Sequence, residues 1–268
     1  MNLNNQKKLA AEKALEEITS GMTVGLGTGS TFHFALLKLS EKLQSGELKD
    51  IKCAASSKQT ELKAAELGIP LITLNELYKS SQLPDISPPS KMAGKQRPIL
   101  HEEGSQVLNS QLLIDLTIDG ADEIDANLNL IKGGGGALLR EKIVVQASKR
   151  FIVIADESKL SKKLGMNFSV PIEVLQFAVE AEKRFIESLG AKVNIRKNSN
   201  GGHLITDEGN FIIDAKINPI DNVNEFAALL EQRAGIVEHG LFRSGLVSKV
   251  VCALNDGSIK EFVSALVP

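Results

Sequence analysis

A glycine-rich segment at residues 25–31, GLGTGST, is the first candidate for chemistry in this sequence. It stands between a short apolar run and a helical pattern, so its backbone N–H groups and the positive end of the helix dipole could hold an anion. The spacing departs from a dinucleotide fingerprint, because Ser30 stands where the third glycine belongs, and from a P-loop, because no lysine precedes that serine. The segment therefore predicts a site for a small phosphate ester, with a purely structural tight turn as the alternative.

Carboxylates cluster in a second segment, DGADE at 119–123, directly after the apolar pattern LLIDLTI. In an open parallel sheet, the carboxyl ends of the strands form the ligand crevice. Asp119 and Asp122 lie three residues apart and would reach the same crevice. Their use in chemistry is one interpretation, and a helix N-cap followed by a polar turn is the other.

A third segment, KGGGG at 132–136, leads into the helical pattern ALLREK. Four consecutive glycines weaken a regular element by roughly 0.5–1 kcal/mol each relative to alanine, so their presence needs a reason. A flexible linker would not separate two core elements that stand so close together. Close approach of the backbone to a ligand explains the glycines better, with Lys132 as a fixed cation at the mouth of the loop.

Two further charged residues could join these segments. Glu141 lies in the helix after the glycines, near the same crevice. Lys159 follows the apolar pattern FIVIA, at the carboxyl end of another strand. Taken alone, each is also typical of a solvated surface charge.

The elements that must position these residues alternate between strand and helix, which predicts a parallel α/β sheet covered by helices. Apolar strand patterns occur at 22–27, 51–57, 70–74, 112–118 and 151–155. Residues 79–104 contain four of the eight prolines and break the alternation. They predict a surface insertion of about 25 residues, with a lid or a partner-binding loop as the alternative.

After Pro171 the order becomes strand, helix, two hairpin-like strands around 206–210, helix and strand. This order is typical of a small split βαβ, ferredoxin-like α+β domain. The tail predicts a hairpin with Asp256 and Gly257 at its turn, which could rejoin the first sheet. We therefore expect a Rossmann-like domain of residues 1–168 plus 243–268 and a smaller α+β domain of residues 169–242.

The composition excludes several classes of protein. A net charge of −2 provides no basic footprint for nucleic acid. No apolar run approaches the roughly 20 residues that span a membrane, and the first ten residues do not form a signal peptide. Two cysteines cannot build a disulfide framework or a zinc site, and the four histidines lack metal-ligand spacing. We expect a cytoplasmic protein that uses no metal and no cofactor.

Five segments in this order, GLGTGST, DGADEID, KGGGGALLREK, FIVIADESKL and GIVEHGLF, resemble the motif series of the type A ribose-5-phosphate isomerases. Two longer stretches, SSKQTELKAAELGIPLITLNEL and GGHLITDEGNFIID, are also similar to that family. The resemblance covers most of the chain from Lys7 onward. The stretch at 79–104 departs from the family's pattern but leaves every motif intact.

The resemblance implies an enzyme that interconverts ribose 5-phosphate and ribulose 5-phosphate without a metal, as a homodimer or homotetramer. It implies that Glu141 is the proton-transferring base and that Lys159 and Lys7 contact the substrate phosphate. The other substrate-binding residues that it implies are Thr28, Gly29, Ser30, Thr31, Asp119, Gly120, Ala121, Asp122, Lys132, Gly133, Gly134 and Gly135.

The chemistry of such an isomerisation suggests a role for each of these residues. One carboxylate that faces two adjacent carbons can move the proton through a cis-enediolate, and Glu141 is our candidate. A cation must stabilise the developing oxyanion, which fits Lys132. Opening the sugar ring needs a separate acid–base group, for which we favour Asp119 over Asp122.

Two rival functions remain at this point. A phosphosugar-binding regulatory module of the same architecture would bind without turnover and would need a DNA-binding helical region. An amino-sugar-phosphate deaminase or a lactonase would be expected to place a histidine near the site.

Overall fold

The computed structural model describes residues 1–81, 112–217 and 219–264. Most of the insertion predicted at 79–104 lies outside these ranges. Within them, no helix is both long and apolar enough to cross a membrane. The helices of the described ranges are α1 (Leu3–Leu15), α2 (Ser30–Gln44), α3 (Lys58–Glu66), α4 (Leu74–Ser80), α5 (Leu138–Gln146), α6 (Val179–Ser188) and α7 (Val223–Glu231). The strands are β1 (Thr23–Leu26), β2 (Lys52–Ala55), β3 (Leu116–Gly120), β4 (Glu123–Ile124), β5 (Leu130–Ile131), β6 (Phe151–Asp156), β7 (Val170–Val174), β8 (Lys192–Ile195), β9 (Phe211–Lys216), β10 (Ile236–His239), β11 (Leu241–Phe242), β12 (Lys249–Ala253) and β13 (Ile259–Val263).

The larger sheet has six strands in the order β13-β12-β6-β3-β1-β2. All neighbours pair in parallel except β12 and β13, which form the predicted antiparallel hairpin. Every residue of β6 is buried, because its side chains alternate between two apolar cores on opposite faces of the sheet. Ile152 and Ile154 pack in the core that contains α1 and α2, whereas Val153 packs with Phe242 and Val250. The expected α/β sheet is confirmed.

The smaller sheet has four antiparallel strands in the order β10-β7-β9-β8. Helices α6 and α7 pack against it through one apolar core that includes Ile172, Ile186, Ile213 and Leu230. The split βαβ order is therefore confirmed for this part of the chain. The boundaries at 168/169 and 242/243 stay a prediction.

A third sheet has three strands in the order β11-β5-β4 and has no counterpart in the sequence predictions. Strands β4 and β5 are two residues each, too short to show a period of alternation. Strand β4 begins at the last residue of the acidic segment and β5 directly precedes Lys132 and the glycine run, so the pairing of β4 with β5 brings these two segments together. Strand β11 pairs with the other edge of β5.

Two of the predicted strands are wrong. Residues 70–74 make only an isolated bridge between Leu71 and Cys53, because a capping box at Thr73 and Glu76 starts helix α4 there. The chain before 206–210 is not a strand either, since His203 makes a single bridge to Lys197 and β9 pairs with β8 instead.

Candidate active site

A small cleft of about 80 Å³ opens where β1, β3 and β6, adjacent strands of the larger sheet, reach their carboxyl ends. This is the edge at which parallel sheets bind ligands. Every predicted site residue except Asp119 and Lys7 lines it. The lining consists of Thr28, Gly29, Ser30, Thr31, Gly120, Ala121, Asp122, Lys132, Gly133, Gly134, Gly135, Glu141 and Lys159.

One end of the cleft has the features of an anion-binding site. Gly29 is the N-cap of α2 at φ +101°, a conformation that favours glycine, and no side chain in the described ranges caps this helix. The first N–H groups of α2 and the positive end of its dipole therefore face the cleft. Lys7 on α1 donates a hydrogen bond to Ser30 Oγ at 2.9 Å, and Lys159 lies in a short 3₁₀ turn after β6.

Thr28 turns its hydroxyl away from this anion site. Its Oγ1 lies 3.0 Å from Ser56 Oγ, 2.9 Å from Ser57 Oγ and 3.3 Å from Thr60 Oγ1, at the end of the neighbouring strand β2. Thr60 in turn donates to the carbonyl of Gly27 at 2.8 Å. This hydroxyl cluster fixes the loop, and the sequence analysis missed it because a serine and threonine run after a strand is typical of many helix starts.

Asp119 lies beneath the cleft instead of lining it, and it is fully buried. Its Oδ1 accepts the N–H groups of Thr28 at 2.9 Å and Gly120 at 2.7 Å. A Cβ on Gly27 would lie 2.3 Å from the same oxygen, so only glycine allows the two loops to approach this closely. Asp122, by contrast, lines the cleft and accepts the N–H of Gly134 at 2.7 Å.

Lys132 brings the parts of the site together. Its ammonium lies 2.9 Å from Asp119 Oδ2 and 3.3 Å from Glu141 Oε1, and it donates to the carbonyl of Gly120 at 2.6 Å. Burial disfavours the charged form of Lys132, but the negative charges of Asp119 and Glu141 outweigh it and raise the pKa above its ordinary value. The cleft therefore contains a permanent, immobile cation.

Glu141, in the first turn of α5, is 5% exposed. Its Oε1 faces Lys132, whereas Oε2 has no hydrogen-bond partner among the described residues. Burial raises the pKa of Glu141 to about 8, with Asp119 adding to the effect and Lys132 opposing it. A carboxylate with such a pKa can both accept and return a proton near neutral pH.

No histidine lines the cleft in the described part of the chain. His239 lies behind it, in a buried polar group where Lys142 donates to the His239 carbonyl at 2.7 Å and to Glu238 at 2.6 Å. Burial, assisted by the charge of Lys142, lowers the pKa of His239 to about 4 and keeps the ring neutral. Residues 1–81, 112–217 and 219–264 also contain no cluster of three or more His, Cys, Asp or Glu arranged to hold a metal ion.

Comparison with known proteins agrees with this geometry. The model of the family Ribose 5-phosphate isomerase A (phosphoriboisomerase A) matches residues 93–257. A ribose-5-phosphate isomerase A from Desulfatibacillum aliphaticivorans is 47% identical over 259 residues, which is 97% of each chain.

Solved structures of similar proteins superpose over nearly the whole chain. A ribose 5-phosphate isomerase from Plasmodium falciparum is 38% identical with a TM-score of 0.82, over 98% of this chain and 100% of that one. A D-ribose-5-phosphate isomerase in complex with phospho-erythronic acid is 36% identical, with the same TM-score and the same coverage.

Proposed function

Since this chain belongs to the ribose-5-phosphate isomerase A family, we propose that it interconverts ribose 5-phosphate and ribulose 5-phosphate. The observation that carries the proposal is the buried pair of Lys132 and Glu141 beside the N-terminus of α2. Among the described residues, one Glu141 oxygen has no partner and no side chain caps this helix. A phosphate at the N-terminus of α2 would place the sugar carbons toward this pair. The complex of a similar isomerase with phospho-erythronic acid supports a phosphorylated ligand.

Phosphate binding would use the N–H groups at the start of α2, the hydroxyls of Ser30 and Thr31, and the ammonium groups of Lys159 and Lys7. This binding energy is remote from the reacting carbons, so it can hold the substrate in a productive orientation. These hydrogen-bond donors lie together at one end of the cleft, so a protein with a net charge of −2 could still bind an anion there.

Proton transfer would begin when Glu141 removes the proton from C2 of the open-chain aldose. The electron pair moves into a C1–C2 double bond, and the former carbonyl oxygen on C1 becomes the enediolate oxyanion. Lys132 stabilises that charge without reorganising. The hydroxyl proton then passes from O2 to O1, and Glu141 returns its proton to C1 to complete the ketose.

Ring opening would need a second acid–base group, and we propose Asp119, whose Oδ2 lies 2.9 Å from the Lys132 ammonium. If so, turnover of ribose 5-phosphate by Asp119→Asn becomes limited by spontaneous ring opening and stops rising as more enzyme is added. Turnover by Asp122→Asn should stay proportional to enzyme. The opposite pattern would assign ring opening to Asp122.

The reaction would also proceed without a metal ion, because Lys132 already supplies the positive charge beside the oxyanion. The test is to mix purified protein with ribose 5-phosphate and follow the formation of ribulose 5-phosphate, with and without EDTA. We expect equal turnover in both. Loss of turnover with EDTA would contradict the metal-free mechanism, and binding without turnover would instead support a phosphosugar-binding regulatory module.

The assembly and location are proposed on other grounds. The two cysteines, Cys53 and Cys252, are free and buried, which is typical of a reducing compartment such as the cytoplasm. Leu175 and the fully exposed Phe177 offer an apolar surface of the kind that a subunit contact covers, in keeping with a homodimer or homotetramer. A monomeric mass by light scattering would contradict that assembly.

A further inference from the structure

Arg196, at the end of a strand of the smaller sheet, contacts a loop of the site. It follows β8 directly, and its Nε and Nη2 donate to the two carboxylate oxygens of Asp214 on β9, at 2.9 and 2.5 Å. A two-point pair of this kind holds the plane of the guanidinium in one orientation. The remaining nitrogen, Nη1, is free to bind something else.

That nitrogen contacts the glycine loop. Arg196 Nη1 donates to the carbonyl oxygen of Gly133 at 2.8 Å and to that of Gly134 at 3.0 Å. Both glycines line the cleft, whereas Arg196 does not. Arg196 therefore acts on the site only through the backbone of this loop.

The direction of the two carbonyls determines the direction of the N–H groups that follow them. In a trans peptide, the N–H points opposite to the C=O of the same peptide plane. Because the Gly133 carbonyl points to Arg196, the N–H of Gly134 points away from it and donates to Asp122 on the cleft wall. By the same geometry, the Gly134 carbonyl turns the N–H of Gly135 away from Arg196, on the side where Gly135 lines the cleft.

A glycine run needs such an external contact more than other loops do. It has no side chains to pack, and each glycine can adopt many backbone conformations. Gly133 is at φ +99°, and its carbonyl also accepts the N–H of Gly136 at 2.9 Å in a tight turn. A half-buried guanidinium held in one orientation and bound to this turn would restrain the peptide planes from rotating.

We propose that Arg196 is a positioning residue for the isomerisation: held by Asp214, it orients the two peptide planes that join Gly133, Gly134 and Gly135, so that the Gly134 N–H holds Asp122 on the cleft wall and the Gly135 N–H faces the reacting sugar. The proposal rests on the proposed function. Fixed N–H dipoles contribute most where charge develops in the transition state. Loss of Arg196 should therefore lower kcat more than it raises KM.

The experiment compares Arg196→Ala and Asp214→Asn with a matched control, Arg233→Ala. Arg233 forms a similar pair with Glu182, through Nε at 2.9 Å and Nη2 at 3.2 Å, but makes no contact with the glycine loop. We expect Arg196→Ala to lower kcat about 10- to 100-fold and to change KM less than about threefold. Asp214→Asn should lower kcat by a smaller factor, and Arg233→Ala should match the wild type.

Chemical rescue separates positioning from a general effect on folding. Guanidinium at a low, non-denaturing concentration should restore part of the kcat of Arg196→Ala and leave the wild type and Arg233→Ala unchanged. An unchanged kcat, a loss confined to KM, or no rescue of a folded Arg196→Ala protein would overturn the proposal. If Arg196→Ala does not fold, an unchanged kcat in folded Asp214→Asn overturns it.

The wild-type assay distinguishes this proposal from the proposed function. Wild-type protein without turnover of ribose 5-phosphate would contradict the function itself. An active wild type with an equally active Arg196→Ala would contradict the positioning role alone.

Discussion

The ammonium of Lys132 lies 3.3 Å from the carboxylate of Glu141, and neither side chain is more than 5% exposed. The pair is unequal, because Lys132 also faces Asp119 and so one cation serves two carboxylates. Burial, with the negative charge of Asp119 added to it, raises the pKa of Glu141 above that of an ordinary glutamate, although Lys132 opposes the shift.

Replacing Glu141 by Gln removes the proposed base but keeps the size of the side chain. We expect kcat to fall by about 10²–10⁴-fold while ribose 5-phosphate still binds, because the phosphate contacts are untouched. Steady-state kinetics and isothermal titration of the variant measure the two effects. Glu225→Gln, an exposed glutamate in the first turn of α7, is the matched control and should be fully active. Near-normal turnover by Glu141→Gln would rule out the base assignment.

The pH dependence should reflect the raised pKa of Glu141. The base works only when deprotonated, so kcat/KM should decline as the pH falls through about 8, well above the range of an ordinary glutamate. Lys132 lowers this pKa, so Lys132→Met should move the decline to still higher pH, besides slowing turnover. The measurement is a pH profile of kcat/KM for both proteins. An acid limb near the ordinary glutamate pKa, or a shift of the Lys132→Met profile to lower pH, contradicts the assignment.

Gly27→Ala should disrupt the floor of the cleft. The new Cβ would lie 2.3 Å from Asp119 Oδ1 and 2.6 Å from Asp119 Cα. Relieving this clash requires the backbone of Asp119 or Gly27 to move, which costs free energy. We expect a loss of about 1–3 kcal/mol in the free energy of unfolding, together with a fall in kcat as Asp119 and Lys132 shift. Urea unfolding and kinetics test this. Gly245→Ala, where a Cβ meets nothing within 4 Å, should change neither quantity; a Gly27→Ala protein as stable and active as the wild type would refute the close approach.

Lys159→Gln should weaken binding at the phosphate end of the cleft. We expect KM for ribose 5-phosphate to rise about tenfold or more, because a charge-assisted contact to the phosphate is lost, and Lys7→Gln should act in the same direction. Binding of inorganic phosphate, measured by titration calorimetry, should weaken in parallel. Lys149→Gln, an exposed lysine paired with Asp115 away from the cleft, is the control. Unchanged phosphate affinity in Lys159→Gln would remove this residue from the phosphate site.

Much of the site could be predicted because its residues fall in a few short segments of the sequence. Glycine runs, an acidic pair after a strand and a lysine after another strand are visible without a fold, and parallel strands must bring their carboxyl ends to one edge. The cleft lining confirms that these segments meet. Residues 70–74 show the limit of sequence patterns, since a short segment with three aliphatic residues is compatible with a strand, whereas in the structure a capping box at Thr73 starts a helix.

The alternation of strands and helices and the segments that carry chemistry can be read from the residues alone, because both depend on short-range periodicity and on residue type. Three-dimensional packing alone places Asp119 under the cleft and Asp122 in its lining, and it leaves one Glu141 oxygen without a partner among the described residues. It also decided that Arg196 contacts a glycine loop 63 residues earlier in the chain. Such relationships arise where separate strands, loops and sheets pack against one another, and no local pattern of residues encodes those distances.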